Sequence, residues 1–286
     1  MSEASTTEQV RQFYDQVGWQ VTREGLYQNA RYEDLRPVAQ EYIHRCHLRV
    51  NRHLKPSGRY LLDAGSGPVQ YPEYLTYSEH YHYRVCLDLS HVALEEARAR
   101  LGDKGLYVVA DVANLPFAPG VFEGVVSLHT FHHLPAGTQP RAYQEVHRVL
   151  AEGSHAVIVN GWTEAPLMRR LAWLVNLAER LGKRLRRKTQ VIQPEVQAEQ
   201  GTNPVKTAPT GTFVQKIDAN WLERELASQM HLEIYPWRSI NVRFMRALVH
   251  QKLAGKAFLR LLFWLEERFP RWFARNGQYP LVVIYK

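Results

Sequence analysis

The sequence predicts a doubly wound α/β fold, and three observations carry that prediction. Five short apolar runs, Tyr60–Ala64, Tyr83–Leu87, Leu106–Ala110, Gly124–Leu128 and His155–Asn160, recur with helix-like stretches between them. The runs are near-continuously apolar rather than alternating, as strands of a parallel sheet covered on both faces are. The first run ends in Asp63-Ala-Gly65-Ser-Gly67, a strand terminus where backbone can turn tightly and approach a ligand. At 286 residues and 45% hydrophobic content, the chain can bury a sizeable core.

Residues 1–57 read as helical. Glu8–Val17 places Val10, Phe13, Tyr14 and Val17 at helical spacing, and Tyr32–Leu54 is a second helical stretch ended by Lys55-Pro-Ser-Gly58. Residues 58–160 hold the five strands and their connecting helices, Tyr71–Ser78, Ser90–Leu101 and Gln139–Leu150. Ser90 suits an N-cap, with Glu95 and Glu96 early in its helix. Residues 161–215 break the alternation. A long basic amphipathic helix over 163–188 carries Leu167, Leu171, Leu174, Leu177 and Leu181 on one side, and a long loop over 189–215 follows. Residues 216–240 return to the core with a helix, Asp218–Gln229, and a strand, Leu232–Trp237. Residues 241–278 form a second helical insert, about Val242–Phe273, and residues 279–286 close the chain with a strand, Pro280–Tyr285.

Two cysteines, Cys46 and Cys86, exclude a disulfide framework and fit a reducing cytoplasm. The N-terminus shows no signal peptide, and no stretch of 18 apolar residues predicts a spanning helix. Net charge is +8 and uneven. Residues 161–188 carry eight Lys/Arg against two Glu, +6, and residues 241–286 carry nine against two, +7. The remainder is therefore −5, since 8 − 6 − 7 = −5. Two basic segments on an acidic core suggest an acidic substrate, nucleic acid or an anionic membrane; solvated helix faces are the plain alternative.

The cofactor motifs discriminate further. A dinucleotide fingerprint needs a third glycine where Gln70 stands, and a Walker loop needs Gly-Lys-Ser/Thr, which is absent. Asp88 ends the second strand, 21 residues after Gly67. Its carboxylate can accept both hydroxyls of a ribose, or merely complement the helix starting near Ser90. Asp111 ends the third strand, where a carboxylate beside a backbone N–H can bind an adenine edge, or form an Asx turn.

Leu62-Asp-Ala-Gly-Ser-Gly67, Leu87-Asp-Leu-Ser90, Ala110-Asp-Val-Ala-Asn-Leu-Pro-Phe117 and Ser127-Leu-His-Thr-Phe-His-His-Leu-Pro135 together resemble class I S-adenosylmethionine-dependent methyltransferases. The resemblance covers about residues 58–160 and is nearest the small-molecule branch that includes quinone-biosynthesis C-methyltransferases. It implies a seven-stranded Rossmann-like sheet with the last strand antiparallel. It also implies S-adenosylmethionine as cofactor: Asp63, Gly65 and Gly67 at its methionine part, Asp88 on ribose, Asp111 on the adenine edge. Leu89 and Val112 would pack on the adenine faces, and His129 would present backbone to the methionine moiety. Tyr14, in Phe13-Tyr-Asp-Gln-Val-Gly-Trp19, resembles N-terminal segments that fold over the cofactor; a helix packing on the core by its aromatics is the alternative. One departure is plain: Val69 stands where the family usually has a third glycine.

His129, His132 and His133 cluster at the end of the fourth strand, and His132 or His133 is the expected general base; a structural turn is the alternative. Tyr27 and Tyr32 could line the acceptor site. The inserts are expected to cap the acceptor site as a helical lid, with Trp173, Phe263, Trp264 and Trp272 making an apolar pocket; an apolar stripe that only packs the lid on the core is the alternative. His44, His47 and His53 lack ligand spacing, so no metal is expected. The expected activity is methyl transfer to a small, lipophilic or acidic acceptor at oxygen or carbon, with peripheral contact to an anionic membrane. RNA methylation and non-catalytic S-adenosylmethionine binding are the alternatives; no appended RNA module is visible.

Overall fold

The computed structural model describes residues 3–19, 33–163, 165–189 and 212–286. Tyr27, Tyr32 and most of the 189–215 loop lie outside the described residues. Seven strands form one sheet: β1 (Gly58–Ala64), β2 (Tyr81–Asp88), β3 (Gly105–Val109), β4 (Phe122–Leu128), β5 (Leu150–Val159), β6 (His231–Arg238) and β7 (Tyr279–Tyr285). Their order is β3-β2-β1-β4-β5-β7-β6. β1 pairs in parallel with β2 and β4, while β7 runs antiparallel between β5 and β6. The strand order reverses at β1, so the crevice of a doubly wound sheet opens at the carboxyl ends of β1, β2 and β4.

Alternation along each strand divides the core into two layers. Leu62 and Ala64 face one side of the sheet, beneath α5 (Gln139–Val149) and α7 (Ala219–Leu226), with Tyr143, Val146, Leu222 and Leu226. Leu61, Cys86, Val126 and Val157 face the other, beneath α4 (His91–Leu101), with Leu94, Ala97, Tyr74 and Tyr77. Both faces are covered, which is why the strands read as near-continuously apolar.

Several helices differ in extent from the expected stretches. The first is α1 (Glu3–Phe13), followed by a wide π-helical turn, Tyr14–Gly18. The stretch expected from Tyr32 to Leu54 is α2 (Gln40–Leu48) with a 3₁₀ turn, Arg49–His53. Pro37 disfavours helix at the residue before it, and Asp34 instead accepts Arg36 N–H at 3.3 Å. Tyr71–Ser78 shortens to α3 (Pro72–Leu75) and a 3₁₀ turn.

In the inserts, α6 (Pro166–Thr189) is the expected long helix. The second insert divides into α8 (Val242–Leu248), α9 (Gly255–Arg268) and α10 (Pro270–Asn276). Ala254, at φ +54°, and Pro270 mark the breaks. Residues of α2, α6, α8, α9 and α10 share a third apolar cluster that includes Tyr42, Val175, Met245, Leu259 and Phe263.

Candidate active site

The turn after β1 is built on left-handed backbone. Gly65 has φ +78° and Gly67 φ +52°. A Cβ on Gly67 would lie 2.8 Å from the Trp19 ring, so only glycine allows both the turn and this approach. Val69 adopts φ +53° and is fully buried. The backbone therefore keeps the glycine-like conformation at the departing position, at a steric cost of about 1–2 kcal/mol.

Asp88 ties this turn to β2. One carboxylate oxygen accepts Gly67 N–H at 2.8 Å and the other accepts Ser90 N–H at 2.9 Å. Burial pushes its pKa up to about 6 against these two bonds. Each oxygen retains a further lone-pair site for a ligand donor. Ser90 caps α4 through Ala93 N–H and donates its hydroxyl to Asp15 at 2.6 Å, which anchors the N-terminal segment to the same edge. Asp111 forms the Asx turn, accepting Ala113 N–H at 2.8 Å, and still faces the crevice with Leu89 and Val112.

Asp63 is the buried partner of Arg84 on β2, whose Nε donates at 3.1 Å to Oδ2 and whose Nη2 donates to the same oxygen. Burial still outweighs the guanidinium and leaves the Asp63 carboxyl above its ordinary range. Sequence reasoning missed Arg84. A charged residue inside an apolar central strand was the available signal, because such a group needs a buried partner.

The three histidines have different surroundings. His129 adopts φ +59° and donates its backbone N–H to Val159 O at 2.7 Å. Its ring lies between Trp237 and Tyr279, and burial, helped by Arg238, lowers its pKa to about 3. His133 has both ring nitrogens engaged. Nδ1–H donates to Phe213 O at 2.8 Å, so neutral Nε2 accepts the Tyr14 hydroxyl at 2.7 Å. Burial holds it neutral, with a pKa of about 4. His132 Nδ1 meets Asn160 Oδ1 at 3.2 Å, leaving Nε2 as its basic nitrogen. Burial and the neighbouring imidazoles hold His132 well below the usual histidine range. Tyr14 also stacks on Trp19, with centroids 5.2 Å apart.

The other end of the crevice holds charges that the motifs did not signal. Glu33 is buried and paired with Arg238 at the end of β6, with His47 Nε2 at 3.3 Å. Burial raises the Glu33 carboxyl, but Arg238 and His47 outweigh it and hold it below the carboxylate range. Lys216 lies across the crevice beside Gly161, and partial burial lowers its pKa.

All eleven sequence-predicted site residues line one cavity of about 350 Å³: Tyr14, Asp63, Gly65, Gly67, Asp88, Leu89, Asp111, Val112, His129, His132 and His133. Trp19, Glu33, Lys216 and Arg238 line it too. The expected aromatic pocket is not there. Trp173, Trp264 and Trp272 are exposed, and Phe263 is buried in the helical cluster. The insert helices pack Phe244, Phe263, Phe273 and their aliphatic neighbours into that cluster, and the cavity is lined instead by residues of α1, by Tyr14 and Trp19, and by Thr212, Val214 and Lys216.

Residues 62–158 match the methyltransferase-domain family. They form a class I S-adenosylmethionine-dependent methyltransferase domain. Within this methyltransferase domain, the glycine cradle under Trp19 and the acidic strand ends are a donor set that fits S-adenosylmethionine as cofactor. A 70-residue stretch is 45% identical to the malonyl-(acyl-carrier protein) O-methyltransferase of Geobacter sulfurreducens. That match spans 24% of this chain and 26% of the relative, about a quarter of its length. Among solved structures, the cyclase SpnF is similar over 98% of this chain and 97% of its own, with a TM-score of 0.55 and 17% identity. Phosphoethanolamine N-methyltransferase 1 of Haemonchus contortus covers all of this chain with half of its own, with a TM-score of 0.56 and 10% identity. These two likenesses are of fold.

Proposed function

We propose that the protein transfers a methyl group from S-adenosylmethionine to a small, lipophilic acceptor, at oxygen or carbon, inside this cavity. The observation that carries the reading is the convergence of three acidic strand ends and the histidine cluster on one crevice of a methyltransferase domain. When bound, S-adenosylmethionine supplies an electrophilic methyl group on a sulfonium centre. Asp88 accepts ribose hydroxyls, Asp111 holds the adenine edge, and Leu89 and Val112 flank the ring. The Gly65–Gly67 turn and the His129 backbone lie against the methionine part. Tyr14 and Trp19 close the site and exclude water. Glu33 and Arg238 neutralise one another at the acceptor end.

His132 takes the acceptor proton. His133 is unsuited to this, because Tyr14 and Phe213 occupy both its nitrogens. His132 is neutral at pH 7 and presents one nitrogen, so it can accept a proton as the nucleophile develops. Its depressed pKa places any acidic fall in rate below the usual histidine range. The test is His132→Gln. With tritiated S-adenosylmethionine and extract-derived acceptors, kcat is expected to fall by about 10²–10⁴. Cofactor affinity by calorimetry is expected to stay unchanged. Unchanged turnover in H132Q would remove His132 as the base.

A further inference from the structure

Three cationic side chains line the cavity: Arg11, Lys216 and Arg238. Arg11 pairs with Glu8 and Asp15, and Arg238 pairs with Glu33. Lys216 has no ion pair among the described residues, although it is partly buried and its charge is disfavoured there. A Cβ on Gly161 would lie 3.2 Å from Lys216 Nζ. Both His129 and His132 lie near enough to feel the ammonium, so Lys216 sits at the histidine end of the cavity. An unpaired charge in a partly desolvated pocket is costly unless a ligand compensates it. A cationic cofactor beside it would sharpen that imbalance.

We propose that Lys216 is the anchor for an anionic oxygen, a carboxylate or phenolate, on the acceptor. This rests on the methyl-transfer reading above and narrows its substrate class to acidic molecules. The Lys216 loop opposes Gly161, where no side chain intervenes, so the ammonium reaches the space beside His132.

The test uses enzyme saturated with S-adenosylhomocysteine and paired probes differing only in charge: benzoate against benzamide, and decanoate against decanamide. Binding is read by calorimetry and by the shift in melting temperature. The acids are expected to bind wild type more tightly than the amides. Lys216→Met should bind the acids about 10–100-fold more weakly and the amides equally. Lys216→Arg should restore the preference. Acids that bind no better than amides, or a preference that survives in K216M, overturn the proposal. K216M that loses S-adenosylhomocysteine affinity while its acid binding stays intact also overturns it, since Lys216 would then hold the cofactor's own carboxylate. Failure of wild type to bind S-adenosylhomocysteine at all would instead defeat the methyl-transfer reading.

A separate observation concerns α9. Its inner side is buried through Leu259, Leu262 and Phe263, yet it carries a second apolar stripe outward: Phe258 (42% exposed), Leu261 (55%) and Trp264 (57%). Phe269 and Trp272 continue it beyond the helix. Arg268 and Arg271 accompany the stripe near its C-terminal end and make no ion pair among the described residues. An apolar strip with cationic margins fits the interface of an anionic bilayer better than a second, equally basic copy. We infer that this face seats the protein on anionic membranes.

Flotation with vesicles of phosphatidylcholine, with and without phosphatidylglycerol, tests it. Binding is expected only with phosphatidylglycerol, is lost as salt rises to about 1 M, and is absent in L261E/W264E. Both substituted positions are exposed, so the variant should keep its melting temperature, which is measured alongside. Absence of binding by wild type, or equal binding by the variant, overturns the inference. A wild-type dimer in light scattering that L261E/W264E dissolves also overturns it, because a second copy would then own the face.

Discussion

Removing Arg84 tests how the cofactor edge tolerates a carboxylate in its core. Arg84→Met leaves Asp63 buried without its guanidinium. At about 3 Å and an effective dielectric near 20, the lost attraction is about 5 kcal/mol. The protein can escape part of this by protonating Asp63. Holding a carboxyl of ordinary pKa 3.8 neutral costs about 1.4 kcal/mol per pH unit above that value. The ceiling is therefore about 4 kcal/mol at pH 7 and about 2 kcal/mol at pH 5. The sign follows from linkage: burial already raises the folded pKa of Asp63, and losing Arg84 raises it further. The native variant then binds more protons than the unfolded chain, so its stability falls as pH rises from the unfolded pKa towards the folded one. Urea unfolding at pH 5 and pH 7 reads both numbers. The double variant D63N/R84M removes both charges and should recover most of the loss, because no ion is left buried. A loss below about 1 kcal/mol at pH 7, equal losses at both pH values, or a double variant no better than R84M would refute the reasoning.

Four further outcomes are expected. Calorimetry of S-adenosylmethionine binding should show affinity falling about tenfold from pH 7 to pH 5, as Asp88 protonates around its raised pKa of about 6 and ceases to accept at both oxygens. Asp88→Asn should weaken binding at pH 7 by about 1–3 kcal/mol and flatten that pH dependence. Gly67→Ala should cost about 1–2 kcal/mol from left-handed strain and push Trp19 off the turn, seen as a shifted tryptophan emission. Tyr14→Phe deprives His133 Nε2 of its donor and should cost about 1–3 kcal/mol, measured by thermal unfolding, with faster proteolysis of the N-terminal segment.

Local rules carried much of this fold. Buried parallel strands must be apolar at nearly every position, so five strand runs could be read directly, and Ser90 was legible as a cap because its side chain serves the N–H three residues on. Helix ends were less legible, since Pro37 and the Asp34 turn compete with a periodicity that continues through them. The inserts misled most. Their tryptophans share helical spacing with the leucines, and periodicity alone does not say which of two apolar stripes faces the core.

Within the site, the residues set by backbone conformation and strand position were readable from sequence: Asp63, Gly65, Gly67, Asp88 and Asp111 stand at strand ends, where a parallel sheet must present them. The partners could not be read. Arg84 is 21 residues from Asp63, Glu33 is 205 from Arg238, and His133 meets Tyr14 across 119 residues. Sequence alone thus determined the layered sheet and the cofactor edge, because both follow from local periodicity and turn geometry. The tertiary structure alone decided which charges are neutralised, which histidine keeps a basic nitrogen, and that Lys216 remains unpaired among the described residues, because those depend on side chains that only the packed fold brings within hydrogen-bonding reach.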